Sequence, residues 1–161
     1  MTYTRNDIAK WPVTDKYHIA PDGTAVHQTA KVGAWAEVGE GAKVGEGAEV
    51  GAWAKVGEGA KVGARAEVGA RAEVGAWAEV GEGAKSVIAD LGREQHRNYG
   101  RCAYANSAGV VILQSGCRHF TLAQARAHWG VADYPNKNRA MEYLALCDYV
   151  EALAKIQGVK T

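Results

Sequence analysis

Valine stands at positions 26, 32, 38, 44, 50, 56, 62, 68, 74 and 80, and from Gly33 to Gly81 each of the later valines is followed by glycine. A unit such as Ala42-Lys43-Val44-Gly45-Glu46-Gly47 reads alanine in, charge out, valine in, and then a turn that glycine permits. A helix fails this pattern. Six residues at ~100° each make about 600°, which scatters the valines over three sides, and every glycine would cost about 1 kcal/mol. Collagen fails as well, because glycine is not at every third position and the repeat contains no proline. The pattern therefore predicts short strands, three units to each turn of a triangular coil of 18 residues.

Stacked coils lie one strand spacing apart, ~4.8 Å, so like charges 18 positions apart should be avoided. That spacing pairs Lys31 with Glu49, Glu37 with Lys55, Lys55 with Glu73, Lys61 with Glu79 and Glu67 with Lys85, leaving Glu49 with Glu67 and Lys43 with Lys61 as the like-signed pairs. Ten such units give a little over three coils, a prism roughly 16 Å tall whose two ends need covers. Residues 1–24 are expected to cover one end, with Trp11, Tyr17 and Ile19 as plugs and "APDGTA" as the turn into a β-helix over residues 25–85. Ser86, where the next valine is due, ends the regular repeat.

Beyond Ser86 the period disappears. "SVIAD", "RCAYA" and "GVVILQSG" read as strands, with "NSAG" as a turn. "TLAQARAHW" reads as a helix opened by a Thr121/Gln124 capping box and stopped by Gly130. A longer helix spans about 137–157, with Met141, Leu144, Cys147, Val150, Leu153, Ala154 and Ile156 near one face and Gly158 as its stop. Residues 86–161 thus form a small α+β cap domain.

The stretch Val26 to Lys85 resembles the hexapeptide-repeat family of left-handed parallel β-helices, whose unit is an aliphatic residue, glycine, two variable residues, a small residue and another variable one. Left-handed crossovers are rare elsewhere, so handedness is implied by the resemblance and not by the spacing. The same resemblance implies a homotrimer with parallel prism axes. The fold class expected is mainly β: a left-handed parallel β-helix of about three coils followed by the α+β cap. Residues 86–130 resemble a domain of phage and bacterial hexapeptide proteins, in which an aromatic-basic loop precedes Gly-Cys-Arg-x-Phe-Thr and a helix ending in His-Trp. Here those residues are Tyr99, "GCRHFT" (Gly116 to Thr121) and His128-Trp129. This second resemblance implies phage ancestry and brings no established activity.

Composition narrows the class. The 161 residues suffice for one ordinary domain or two small ones, and the net charge of +1 argues against a general nucleic-acid binder. Residues 30–85 carry seven Lys/Arg against nine Glu, whereas 86–161 carry nine against six acids, so positive charge gathers in the last third. The opening has no leader-like apolar run, and no stretch is long enough to span a membrane. Cys102, Cys117 and Cys147 are odd in number and lie outside the repeat. A soluble protein of a reducing cytoplasm is expected, the host's if the chain is phage-encoded.

Candidate chemistry sits in the free positions. The turn pair is Ala-Trp at 34/35, 52/53 and 76/77, Ala-Arg at 64/65 and 70/71, and Glu-Gly elsewhere. The register stacks Trp35, Trp53 and Arg71 on one edge, a ladder suited to cation–π contact. Such an edge reads as a subunit interface, as a platform for a flat ligand, or as ordinary exposed turns. In the second half Arg118, His119 and the Thr121 hydroxyl precede a helix N-terminus, and the loop before them adds Arg93, His96, Arg97 and Arg101. These cationic groups either converge on an anion or are solvated, with Arg118 paired to an acid such as Asp148. Cys117 lacks a partner acid, and no histidine set has metal-ligand spacing.

Acyl transfer, the activity the resemblance brings first, needs a histidine base. The coils from Val32 to Lys85 contain none and carry no inserted loop, which leaves His27 as the runner-up catalytic residue of a CoA-dependent acyltransferase. The related carbonic anhydrases need three metal-binding histidines, which the coils also lack. The preferred expectation is a non-catalytic homotrimer without cofactor that holds a small planar anion of nucleotide type. A virion or host-protein contact module is a further alternative.

Overall fold

The computed structural model of the chain describes residues 1–93 and 100–159, with only the backbone for Arg93. It opens with β1 (Thr2–Tyr3), α1 (Arg5–Ile8), β2 (Val13–Thr14) and β3 (Tyr17–Ile19). The repeat follows as ten short strands, β4 (Ala25–His27), β5 (Lys31–Val32), β6 (Glu37–Gly39), β7 (Lys43–Val44), β8 (Glu49–Val50), β9 (Lys55–Val56), β10 (Lys61–Val62), β11 (Glu67–Val68), β12 (Glu73–Val74) and β13 (Glu79–Val80). They coil into a β-solenoid of about three turns with parallel sheets β4-β7-β10-β13, β5-β8-β11 and β6-β9-β12. Val26, Val44, Val62 and Val80 stand in one register column, and the other two sides repeat the arrangement. The valines are at most 8% exposed, and they share the core with alanines such as Ala36, Ala48 and Ala60.

Glycine does two separate jobs in this wall. The one after valine provides clearance: a Cβ on Gly33 or Gly51 would meet the backbone nitrogen of the next coil at 2.5 Å. The one in the Glu-Gly pair sits at a left-handed corner, with φ of +68° at Gly41 and +63° at Gly47. Outside the wall, opposite charges meet as the register expects. Lys31 bonds Glu49 at 2.6 Å, Lys61 bonds Glu79, and Lys85 lies 3.6 Å from Glu67.

The N-terminal segment protects strand edges. β1 pairs antiparallel with β6, and β3 pairs antiparallel with β4 on one side and β2 on the other. The plug is Ile8, 5% exposed in the solenoid core, with Tyr3 and Trp11 packed beside it. Tyr17 and Ile19 are only half-buried, because β3 lies along the sheet edge and does not cross the open end. "APDGTA" does form the entry turn: the Gly23 N–H donates to the Ala20 carbonyl and the Thr24 N–H to Asp22 Oδ1.

After the last coil come β14 (Ser86–Arg93), β15 (Gly100–Ala105), β16 (Val111–Ser115) and β17 (Arg118–Thr121), one antiparallel sheet in that order, then α2 (Leu122–Trp129) and α3 (Lys137–Ile156). Cys102 and Tyr104 of β15 join the solenoid core. "RHFT", placed by the sequence just ahead of a helix N-terminus, is the edge strand β17. The buried face of α3 is Ala140, Tyr143, Cys147, Val150 and Ala154, whereas Met141 and Ile156 are exposed. Tyr143 sets that rotation: its ring stacks on Trp129 at 4.0 Å, and its hydroxyl bonds Ser115 Oγ at 2.5 Å.

Candidate functional site

The three corners of the prism are made by hydrogen bonds between coils. The Trp53 N–H donates to Ala34 and the Arg71 N–H to Ala52 at one corner, Gly59 to Glu40 and Trp77 to Glu58 at the second, and Arg65 to Glu46 and Gly83 to Ala64 at the third. All three corners use left-handed backbone. Trp35, Trp53, Arg65, Arg71 and Trp77 adopt it with φ between +56° and +62°, where equivalent positions carry glycine. A side chain there costs about 1–2 kcal/mol. Bulky residues held in this conformation point to contact work.

The indoles of Trp35 and Trp53 stack, 5.6 Å between centroids and 20° from parallel, and remain 67% and 57% exposed. Arg71 occupies the next rung by backbone register, but among the described residues it makes no cation–ring contact and no ion pair. Trp77 differs, because its indole covers Gly59, where a Cβ would meet the ring at 2.6 Å. Arg65 bonds Glu82 at 2.6 Å.

The free face of Trp35 looks toward the N-terminal segment. Below it lies a 230 Å³ slot lined by Thr4, Arg5, Asn6, Ala34 and Trp35. Antiparallel pairing of β1 with β6 carries Thr4 to Asn6 under this corner. A second cleft of 420 Å³ shares Arg5 and adds His18, His27, Gln28 and Lys31 over an apolar floor that includes Ile8 and Val32. Neither wall contains a carboxylate among the described residues. Lys31 is paired to Glu49, whereas Arg5 makes no ion pair among the described residues. The sequence reading missed Arg5, Asn6 and His18 because they precede the repeat and no period places them.

The C-terminal candidates are occupied individually. Arg101 is buried and paired with Glu142 at 2.5 Å. Alternation along β17 sends its neighbours to opposite faces. Arg118 Nη1 donates to His128 Nε2 at 3.0 Å, whereas His119 lies 2.9 Å from the Tyr104 hydroxyl and 3.7 Å from Glu79. Burial, with Arg118 and Arg139 nearby, lowers the His128 pKa, consistent with a neutral acceptor. Asp148 pairs with Arg126 and not with Arg118. The Thr121 hydroxyl accepts from the Gln124 N–H and so caps α2. Arg97, with His96 and Tyr99, lies outside the described residues, as does the Arg93 side chain.

His27 is 5% exposed against the Tyr17 ring. The Thr29 N–H donates to its Nδ1 at 3.2 Å, and the Thr29 hydroxyl, which accepts from the Gly47 N–H, lies 2.8 Å from the same nitrogen. Both contacts fall on Nδ1, so Thr29 engages the lone pair that a base at this nitrogen would use. Burial pushes the Cys102 and Cys147 thiols up, away from thiolate chemistry. Among the described residues no three His, Cys, Asp or Glu side chains gather to hold a metal, and no helix is long and apolar enough to cross a membrane. No protein-family model matches the chain, and no curated protein matches it.

Proposed function

We propose that this chain is a non-catalytic scaffold of the hexapeptide-repeat kind, with a left-handed coil and three subunits, that holds a small planar anion along its tryptophan edge. The observation that carries this reading is the stacked Trp35–Trp53 pair, largely exposed and kept in a costly backbone conformation that glycine adopts freely elsewhere in the wall. Aromatic ladders of this kind bind by stacking and require no reacting group. The way His27 is held argues against acyl transfer, because the ring is buried and Thr29 engages its Nδ1. Trimeric assembly, phage ancestry and a cytoplasmic setting are parts of the proposal that rest on the sequence resemblance and on cysteine usage.

Native mass spectrometry of the purified protein and of Trp53→Ala tests it. The expected result is a trimer carrying a bound small molecule, with the bound mass lost from the variant. A wild-type monomer, or bound mass unchanged by Trp53→Ala, would overturn the reading.

A further inference from the structure

The structure assigns a defined place to such an anion: the N-terminal end of the solenoid, with its ring on the free face of Trp35 and its charged group at Arg5. This rests on the proposal that the tryptophan edge binds a planar anion, and it moves the charged half of that site from the C-terminal domain to the N-terminal segment.

Three observations converge. Each corner rung lies over the residue 18 positions earlier, as Trp53 lies over Trp35, but the chain before Trp35 never completes a coil. Position 17 belongs to β3, which runs antiparallel to the repeat after Asp15 and Lys16 turn it back with φ of +49° and +71°. The stack therefore ends at an indole whose outer face meets the 230 Å³ slot. That volume is below the range of about 300–1,000 Å³ usual for drug-sized ligands and suits a single ring system.

Next, Arg5 belongs to both the slot and the 420 Å³ cleft, so a ring in the first can place an attached anion in the second. Around that cleft stand Arg5, His18, His27 and Lys31, with no carboxylate in the wall. Asp7, two residues after Arg5 in the chain, is engaged: Thr4 donates to its Oδ2 from both N–H at 2.9 Å and Oγ1 at 2.6 Å. Finally, His18 Nδ1 is enclosed without a hydrogen-bond partner, so a polar atom of the same wall is left unsatisfied. A heteroaromatic ring joined to a phosphate, as in a nucleoside monophosphate, fits this lining through stacking on Trp35, hydrogen bonding to the Asn6 amide, and a charge-assisted bond from Arg5.

Isothermal titration calorimetry with AMP, adenosine and inorganic phosphate separates the parts. AMP should bind, adenosine at least about tenfold more weakly, and phosphate alone without measurable heat. Arg5→Gln should weaken AMP by about tenfold or more and abolish its advantage over adenosine, Trp35→Ala should weaken both nucleosides, and Trp77→Ala, on another corner, should change neither. Arg5 is exposed, so its variant folds even if Trp35→Ala does not. No heat with AMP, or equal AMP affinity in Arg5→Gln, overturns this site. Native mass spectrometry on the same samples keeps the two proposals distinct. A trimer whose bound mass is lost in Trp53→Ala but which ignores AMP sinks the N-terminal site alone, and a monomer that binds AMP through Arg5 sinks the trimer alone.

Discussion

At Gly51 an added methyl would lie 2.5 Å from the backbone nitrogen of Ala70, whereas at Gly69 no described atom lies within 4 Å of it. Both positions follow valine in the same motif, so the letters alone give them the same role. Gly51→Ala should cost about 1–3 kcal/mol by forcing two coils apart, and Gly69→Ala should be neutral or gain up to about 1 kcal/mol by restraining the unfolded chain. Thermal unfolding checks this, since ~1 kcal/mol moves the midpoint by about 2–4 °C in a chain of this size. Equal losses at the two sites would show that coil contact is not what glycine provides. The periodic glycines were legible as residues; which of them face another coil was not, because clearance depends on what lies 18 positions further on.

Among the elements, the N-terminal segment is fastened through Asp22. Its Oδ2 accepts from the Tyr3 hydroxyl at 2.6 Å, its Oδ1 from the Thr24 N–H and hydroxyl, and Thr24 Oγ1 accepts in turn from the Gly41 N–H of the second corner. Burial opposes the Asp22 charge, yet the bonds from Tyr3 and Thr24 outweigh it and hold the carboxyl below its ordinary value. The Tyr3 phenol, bonded to Asp22, is pushed up to about 12. A depressed carboxyl contributes its stability above the unfolded pKa, about 3.9, and loses it as pH falls through the folded value. The advantage of wild type over Tyr3→Phe, measured by urea unfolding, should be constant from about pH 6 to 8 and fade below about pH 4. A difference that persists undiminished into acid would remove the clasp. The strands of the repeat, both main helices and the entry turn were legible from period and caps. The plug and the edge strand β17 were not, because Ile8 and "RHFT" carry no periodic signal and gain their roles from neighbours distant in sequence.

For the molecule as a whole, the C-terminal sheet rests on the last coil through Cys102 and Tyr104, and α3 is tied to the sheet by Arg101 and Glu142. The Arg101 side chain is 8% exposed and that of Glu142 49%, so Glu142, beside Tyr143, is one of the groups that replace water around a buried charge. Glu142→Ala should therefore destabilise the protein by about 1–3 kcal/mol, discounted for the half-exposed carboxylate, whereas Lys31→Ala on the outer wall should cost under about 1 kcal/mol. Urea midpoints compare the two, and equal small losses would show that the tie carries no weight.

By itself the sequence determined the coil, its register of 18 and the column in which Trp35, Trp53 and Arg71 stand, because a local unit repeated without interruption has few ways to bury its valines. Only the tertiary structure decided which charges are already spent and which segment shares a slot with the exposed Trp35. Arg101 and His119 are engaged by partners that the chain brings from elsewhere, and Arg5 comes to line the same slot as Trp35 through the pairing of β1 with β6. Such meetings join segments with no common period, and so no pattern along the chain could announce them.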